Sequence, residues 1–287
     1  MRRHIVVCPG DAPYLERLKG FTCVFTVGSV LEADRVITDA KQIGINVHAV
    51  AIHSRIPLGI IELHEEWGRT PIALFVPAMG MFKDMVRQLG RLRTLNIRVY
   101  LAVDREENLK ALRILASLGI PCAAEFGEGR IDWDAMTDLA THALLGLSPH
   151  GTIEPFEEMA RQYRQTGRTE FRGVYFEDPT RFVHADEHGK LAFSSKDLGA
   201  RYCFSEELSN LDTLTELPAY QQHLNAWRSV FKDFNTCSIC AGWRICGGYV
   251  QNRVDDNPGC KAFAEEVMGL VERRAELRRN VEGVWQV

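Results

Sequence analysis

The sequence has no apolar run that approaches the roughly 20 residues needed to cross a bilayer, so it offers no candidate membrane span. Residues 1–8 are basic and then apolar, as a signal peptide begins, but the apolar stretch stops at Pro9. Because a signal peptide needs a hydrophobic segment of about 7–15 residues, we interpret this stretch as a first β-strand. We accordingly expect a cytoplasmic protein.

An excess of charge of one sign is also missing. The 34 Lys and Arg residues nearly balance the 38 Asp and Glu residues, and the net charge of -4 gives no electrostatic basis for binding nucleic acid or an anionic membrane. No Gly-x-Gly-x-x-Gly follows an apolar run, so the fingerprint of a dinucleotide-binding fold is absent. What remains is an ordinary globular composition, 46% hydrophobic over 287 residues.

Short apolar runs alternate with amphipathic helical patterns in the first half of the chain. Strands are predicted at residues 5–8, 23–27, 47–52, 72–76, 99–103 and 121–126, and helices at 82–93, 106–118 and 133–145. Continuously apolar strands between helices are typical of a parallel sheet covered by helices. Periodicity leaves open whether that sheet is flat or curved into a barrel.

The second half has a different texture. It predicts a helix near 153–163, a hairpin over 182–193 that turns at 187–190, a helix at 219–231 and a closing amphipathic helix at 261–279.

The eight cysteines are unevenly distributed. Cys8, Cys23 and Cys122 lie in predicted strands and are interpreted as buried structural thiols, as is the isolated Cys203. The other four form the pattern Cys237-x2-Cys240-x5-Cys246-x13-Cys260. Clustered cysteines in a reducing compartment are more often metal ligands than disulfides. Four thiolates complete the shell of a cubane iron–sulfur cluster or of a tetrahedral zinc, and spacing alone separates the two poorly.

Glycines are interleaved with these cysteines, at Gly242, Gly247, Gly248 and Gly259. We expect them to let the backbone bend tightly and to bring amide N–H groups towards the anionic sulfurs. Aromatic residues surround the same segment and predict a hydrophobic lining: Trp227, Phe231, Phe234, Trp243 and Tyr249. The arginines of the closing helix are interspersed with Glu272 and Glu276, which is typical of a solvated helix face.

The run from Cys237 to Gly248, with Cys260 downstream, resembles the C-terminal half of a SPASM domain. SPASM domains are auxiliary iron–sulfur modules of radical SAM enzymes that modify peptides and proteins. The predicted hairpin, Cys203 and residues 211–217 extend the resemblance to roughly residues 171–265. The first half resembles the partial (β/α)6 barrel of a radical SAM core in its alternation and strand count. The resemblance therefore implies an α/β protein, with a partial (β/α)6-type barrel over residues 1–165 and a small SPASM-like iron–sulfur domain over 166–287.

In that family, cysteines at these spacings hold one [4Fe–4S] cluster, a role that the resemblance transfers to Cys237, Cys240, Cys246 and Cys260. A full SPASM domain has a further cysteine four positions after the third, where this chain has Val250. Since the upstream cysteines are reduced to Cys203, we expect one auxiliary cluster and not two.

The chain lacks the Cys-x3-Cys-x2-Cys motif that holds the catalytic cluster of radical SAM enzymes, and it lacks the Gly-Gly-Glu that contacts SAM. We therefore expect neither SAM binding nor radical SAM activity. The expected function is that of an accessory protein that partners a radical SAM enzyme in peptide or protein modification, by electron relay or by docking the peptide substrate.

Two alternatives remain open. One is an enzyme with an acid–base site at the barrel mouth, built from strand-end residues and a neighbouring loop: His53, Asp104, Glu125, Glu128 and His150. In a simpler interpretation, Asp104 is the N-cap of the next helix. The other alternative is a zinc-stapled binding protein with no redox role.

Overall fold

The computed structural model describes residues 4–127, 129–163, 171–229, 236–246 and 259–284. Over these residues the fold is α/β, as predicted, with nine mostly parallel strands and nine α-helices. The strands are β1 (Ile5–Pro9), β2 (Thr22–Val27), β3 (Asn46–His53), β4 (Ile72–Val76), β5 (Ile97–Ala102), β6 (Cys122–Glu125), β7 (Ile153–Glu154), β8 (Phe182–Ala185) and β9 (Leu191–Ala192). The helices are α1 (Val30–Ile43), α2 (Phe82–Thr94), α3 (Glu106–Ser117), α4 (Trp133–Leu145), α5 (Phe156–Gln162), α6 (Ser195–Gly199), α7 (Pro218–Ser229), α8 (Trp243–Cys246) and α9 (Gly259–Val284).

The chain divides into two compact units, each made from two separate segments. Unit 1 is Met1–Arg98 with Tyr175–Val230, and unit 2 is Val99–Val174 with Phe231–Val287. Each unit thus draws on both sides of the boundary expected between residues 165 and 166. The division into a barrel and a cluster domain stays a prediction.

Unit 1 is built on parallel strands in the order β4-β3-β2-β1-β8, with β9 antiparallel at the edge. The register pairs Val7 with Val24 and Phe25 with Val50, and these side chains are at most 4% exposed. From β1 to β4, each strand lies beside the strand that precedes it in the chain. The apolar character of these strands follows from their burial in the core.

Helix α1 connects β2 to β3 and was not among the predicted helices. Ser29 caps it by accepting a hydrogen bond from the Glu32 amide, while the Glu32 carboxylate accepts one from the Gly28 amide at 2.8 Å. At the other end Gly44 adopts the left-handed conformation, φ 86°. One face of α1 is buried through Ala33, Val36, Ile37 and Ala40. A reciprocal cap followed by apolar residues at helical spacing is a complete helix signal.

Unit 2 has the parallel strands β5, β6 and β7 as neighbours in chain order. Helix α9 packs along α4 and against α5. The rings of Trp133 and Phe263 lie 4.9 Å apart in this contact, and Val267 and Val271 are fully buried. A sequence-distant helix therefore completes the core of unit 2.

Several predicted elements are confirmed. β4 and α4 begin and end at the predicted residues, and α3 ends at Ser117, two residues before Gly119, which has φ 77°. The predicted hairpin is β8–β9, and its turn is held by Asp186, whose Oδ1 accepts hydrogen bonds from the amides of His188 and Lys190. The predicted continuation of the 219–231 helix beyond Ser229 lies outside the described residues.

Candidate metal centre

Two short stretches of unit 2 bear the four clustered cysteines. Cys237 lies in a 3-10 helix (Thr236–Ile239), Cys240 follows it, and Cys246 ends α8, whereas Cys260 lies in the first turn of α9. Cys246 and Cys260 are each only 8% exposed, and Cys237 and Cys240 are half-buried.

The cysteine loop is a chain of tight turns. The Cys240 amide donates to the Cys237 carbonyl, the Trp243 amide to the Cys240 carbonyl, and the Cys246 amide to the Gly242 carbonyl, at 3.1–3.3 Å. Successive turns of this kind coil the Cys237–Cys246 segment back on itself.

Two glycines let this loop and α9 come close to their neighbours. A Cβ on Gly242 would lie 2.4 Å from the backbone carbon of Ala264 in α9, and a Cβ on Gly259 would lie 2.0 Å from Cδ1 of Trp133 in α4. Both distances are far below van der Waals contact. Any side chain at Gly242 would therefore push the cysteine loop away from the helix that bears Cys260.

The thiol of Cys260 interacts electrostatically with those of the other three clustered cysteines. Burial and, to a smaller extent, charges on Cys246, Cys237 and Cys240 together raise the pKa of Cys260 to about 12. Burial also raises the pKa of Cys237, with a smaller contribution from Cys240. Among the residues that the structure describes, no group of three or more Cys, His, Asp or Glu side chains has the arrangement that holds a metal ion.

Cys240 shows how the loop stabilises sulfur charge. Burial raises the pKa of Cys240, but hydrogen bonds from the backbone amides of Gly242 and Trp243 act in the opposite direction. The expectation that glycine amides point at a sulfur is thus confirmed at Gly242. Gly247 and Gly248 lie outside the described residues.

This donor set matches the predicted group in its chemistry, but within the described residues its side chains do not form a metal-binding group. It consists of four cysteine sulfurs. In the protein alone, burial raises the pKa values of Cys237, Cys240 and Cys260 and so opposes formation of their thiolates. A bound metal centre would supply the positive charge that stabilises the thiolates, and its binding would release the thiol protons. Sulfur donors select zinc or an iron–sulfur cluster over hard cations such as magnesium.

A polar network that the sequence did not predict ties the loop to two helices. The Arg244 guanidinium lies over the Tyr163 ring at 5.8 Å, and the Tyr163 hydroxyl donates to Glu272 of α9 at 2.8 Å. Tyr163 directly follows α5, and burial raises its pKa. No sequence pattern indicated this network, because its three residues come from stretches of the chain that are far apart in sequence.

The face of α9 differs in part from the interpretation as a solvated surface. Arg273, Glu276 and Arg279 are exposed, as expected. Arg274 is instead only 18% exposed and pairs with Glu157 of α5 at 2.7 Å, and Arg278 approaches the same carboxylate at 3.5 Å.

The predicted aromatic lining is tested only at Trp243, which is half-buried. Phe231, Phe234, Tyr249 and the side chain of Trp227 lie outside the described residues. The apolar contacts described beside Cys260 come from Trp133, Phe263 and Phe156, which sequence reasoning did not select.

The other cysteines lie in different surroundings. Cys8, Cys23 and Cys122 are at most 1% exposed, which confirms their burial in strands. A hydrogen bond with the Cys23 side chain, together with burial, raises the pKa of Cys8. Cys203 belongs to unit 1 and is half-buried, and burial raises its pKa.

The residues predicted for a barrel-mouth site are divided between the two units. His53, at the end of β3 in unit 1, stacks on Phe75 at 4.4 Å, and desolvation lowers its pKa. Asp104 and Glu125 lie at the carboxyl ends of β5 and β6 in unit 2. Glu128 lies outside the described residues.

Two of these predictions are wrong. His150 lies at the amino ends of the unit 2 strands, whereas Asp104 lies at their carboxyl ends. The reason is that the next residue, Gly151, packs against Ile120 just before β6 begins. Asp104 is not the N-cap of α3; that position is Arg105, and the Asp104 side chain instead lies against Gly129. The prediction for His150 failed because every strand has two ends, and a loop residue that is close to a strand in sequence can lie at either end of it.

Comparisons of the chain with family models, with curated proteins and with solved structures find no match. Within the described residues, no helix is both long enough and apolar enough to cross a membrane.

Proposed function

We propose that this chain is an iron–sulfur accessory protein, a degenerate radical SAM/SPASM homologue that partners an active radical SAM enzyme in peptide or protein modification in the cytoplasm. Cys237, Cys240, Cys246 and Cys260 would hold one [4Fe–4S] cluster. The single observation that supports this most is the spacing Cys237-x2-Cys240-x5-Cys246-x13-Cys260, whose first three cysteines lie in consecutive backbone turns. The chain's lack of a Cys-x3-Cys-x2-Cys motif is the reason that we propose neither SAM binding nor a catalytic residue.

The order of most strands is compatible with the partial-barrel part of the proposal. β1 to β4 in unit 1, and β5 to β7 in unit 2, each follow chain order, whereas β8 is added on the other side of β1. Strands of a β/α barrel are added in one direction, whereas a doubly wound sheet reverses its order at a switch point.

When bound, a cluster with four thiolate ligands would supply one-electron transfer or a structural staple, because no iron is left open for substrate. The chain's own residues serve either role. The amides of Gly242 and Trp243 stabilise charge on the Cys240 sulfur, and Trp133 packs against the backbone beside Cys260. Relay and peptide docking are both compatible with this arrangement.

Metal analysis of the purified protein tests the proposal. Prepared without oxygen, the protein is expected to be brown, with a broad band at roughly 400 nm and about four irons and four sulfides per chain. A colourless protein with about one zinc per chain would overturn the cluster assignment and favour the zinc-stapled binding protein.

A matched pair of cysteine variants sharpens the test. Cys260→Ala is expected to lose the 400 nm band and most of the iron, because a buried ligand of the site is removed. Cys203→Ala, which removes a half-buried thiol of unit 1, should keep both. Equal iron content in the two variants would contradict the ligand assignment. Unchanged turnover of the radical SAM partner with cluster-free Cys260→Ala would exclude the relay role and leave docking.

A further inference from the structure

Two histidines of unit 2 lie side by side where α4 ends. His142 is in the last turn of α4, and His150 is in the loop that leads from α4 to β7. The centroids of the two rings lie 4.9 Å apart, with an angle of 31° between the ring planes. Neither ring takes part in the cysteine site, so the pair needs an explanation of its own.

Each ring has a nitrogen that can serve a ligand. Nδ1 of His150 donates a hydrogen bond to the Gly151 carbonyl at 2.8 Å, which leaves the lone pair of the neutral ring on Nε2. Nε2 of His142 is buried and has no hydrogen-bond partner among the described residues. A buried polar atom without a partner costs free energy, and a ligand bound to that nitrogen would remove the cost.

The loop after α4 is shaped so that His150 lies against the helix. Gly146 follows the last residue of α4, and a Cβ there would lie 3.2 Å from Nε2 of His150. The Gly151 amide donates to the carbonyl of Ala116 at 2.7 Å, and a Cβ on Gly151 would lie 2.5 Å from the carbonyl oxygen of Ile120. Glycines on both sides of His150 therefore allow the close packing that holds its ring beside His142.

The surroundings of the pair favour a cation that takes nitrogen ligands. The last carbonyls of α4 carry partial negative charge. Burial, together with His150 and Arg113, lowers the pKa of His142, so this ring is neutral at pH 7 and its lone pair is available. A bound anion would instead need protonated rings, which the same effects oppose. Arg113 is exposed on α3 and would also oppose a cation, which limits the affinity that we expect.

We propose that His142 and His150 together bind one Zn²⁺ ion, with water in the remaining coordination positions. Imidazole nitrogen is a preferred ligand of zinc. Two imidazoles on one tetrahedral zinc, each with its nitrogen about 2.0–2.1 Å from the metal, have ring centroids roughly 5 Å apart, close to the 4.9 Å observed. The hydrogen bond from His150 to a backbone carbonyl is the usual support of a metal-binding histidine.

The proposed site is expected to exchange its metal readily. The described residues supply no third His, Cys, Asp or Glu side chain to it, whereas protein zinc sites commonly have three or four protein ligands. Bound zinc would tie the loop after α4 to the last turn of that helix.

The histidine pair is separate from the cysteine site. Trp133, which packs beside Cys260, begins α4, and His142 follows it by nine residues, which is about 14 Å of helix. The proposal therefore does not rest on the proposed function, and either one can fail without the other.

Zinc uptake by the full chain tests the proposal, with the cysteine site left as it is in the purified protein. Dialysis against micromolar zinc chloride, followed by metal analysis, should show about one zinc per chain more than the purified protein holds. The added zinc should raise the temperature of thermal unfolding, because a ligand that binds the folded state stabilises it. An unaltered chain that takes up no further zinc would overturn the proposal, whatever the variants do.

Glutamine variants locate the bound zinc. His142→Gln and His150→Gln keep a polar side chain but remove an imidazole, so each should weaken zinc binding by more than about tenfold, the least that loss of a mere supporting partner costs. Both should keep the iron of the unaltered chain, because the cysteines are unchanged. The matched control is His188→Gln, which removes an exposed histidine of unit 1 and should bind zinc as the unaltered chain does. Equal uptake by all three variants would place the zinc elsewhere and overturn the proposal.

The same variants distinguish an anion from a metal at this pair. Inorganic phosphate should leave the unfolding temperature of the unaltered chain and of His142→Gln equally affected. If phosphate stabilised the unaltered chain but not His142→Gln, and zinc stabilised neither, the pair would bind an anion and the zinc proposal would be wrong.

Discussion

At the scale of single residues, the glycines of the cysteine segment illustrate how one residue type serves different needs. The sequence predicted that they allow bending and expose amides. Gly242 does direct its amide at Cys240, but it also lets α9 approach at Ala264, and Gly259 makes room for Trp133. Both close approaches depend on a partner that is distant in sequence, and therefore the pattern around the glycines did not contain them.

Gly259→Ala tests this close approach. The added Cβ would meet Trp133 at 2.0 Å, so the variant is expected to lose about 1–3 kcal/mol of unfolding free energy, the usual cost of overpacking. Because Cys260 is the next residue, iron content should fall as well. Chemical denaturation and metal analysis measure the two effects.

Gly269→Ala is the matched control in the same helix. A Cβ at Gly269 would meet nothing within 4 Å, and alanine in a helix interior is favoured over glycine by about 0.5–1 kcal/mol. This variant should therefore be slightly more stable than the unaltered chain and keep its iron. A Gly259→Ala protein as stable as Gly269→Ala would show that Trp133 does not pack as described.

At the scale of elements, helices whose capping and apolar face are local were within reach of the sequence. α4 was predicted to the residue. α1 was missed although Ser29, Glu32 and Gly44 mark both its ends. For α9 the sequence predicted an amphipathic helix but not the neighbours it packs on, and Arg274 was consequently assigned to a solvated face when it pairs with Glu157.

The ion pairs between α5 and α9 are expected to stabilise the helix that bears Cys260. Glu157→Ala removes the carboxylate that Arg274 and Arg278 share. The side chain of Glu157 is 24% exposed and that of Arg274 is 18% exposed. We expect a loss of about 1–2 kcal/mol in unfolding free energy, more than a surface pair gives, because the two side chains are shielded from water. Thermal or chemical denaturation measures the change.

Lys110→Ala provides the comparison. Lys110 pairs with Glu106 on α3, where the two side chains are 72% and 65% exposed. Removal of such a surface pair should leave the unfolding free energy almost unchanged, because both side chains are solvated and screened. If the two variants were equally stable, the helix–helix pair would contribute nothing beyond an ordinary surface contact.

At the scale of the whole molecule, the chain is organised as two units that each combine distant segments. The stretch that resembles a SPASM domain is itself divided, with the β8–β9 hairpin and Cys203 in unit 1 and the four clustered cysteines in unit 2. Each compact unit is therefore defined by contacts between segments that are distant in sequence, and not by one continuous stretch of chain.

Removal of the metal is expected to loosen unit 2 selectively. Metal-site binding energy is folding energy for the residues around the site, and all four ligands that we propose lie in unit 2. After oxidative cluster removal with a chelator, hydrogen exchange should therefore rise in residues 236–246, in the first turns of α9 and in α4. The strands β1 to β4 of unit 1 should stay protected. A uniform rise over both units would contradict this expectation.

The sequence by itself determined the elements whose signals are local. Apolar runs fixed the strands, Gly119 marked the end of α3, and the spacing of Cys237, Cys240, Cys246 and Cys260 singled out the candidate site. Only the tertiary structure decided at which end of the unit 2 strands His150 lies and which residues pack beside Cys260. The physical reason is that periodicity and capping act within a few residues of the backbone, whereas close approaches and ion pairs between helices depend on segments that meet only after folding.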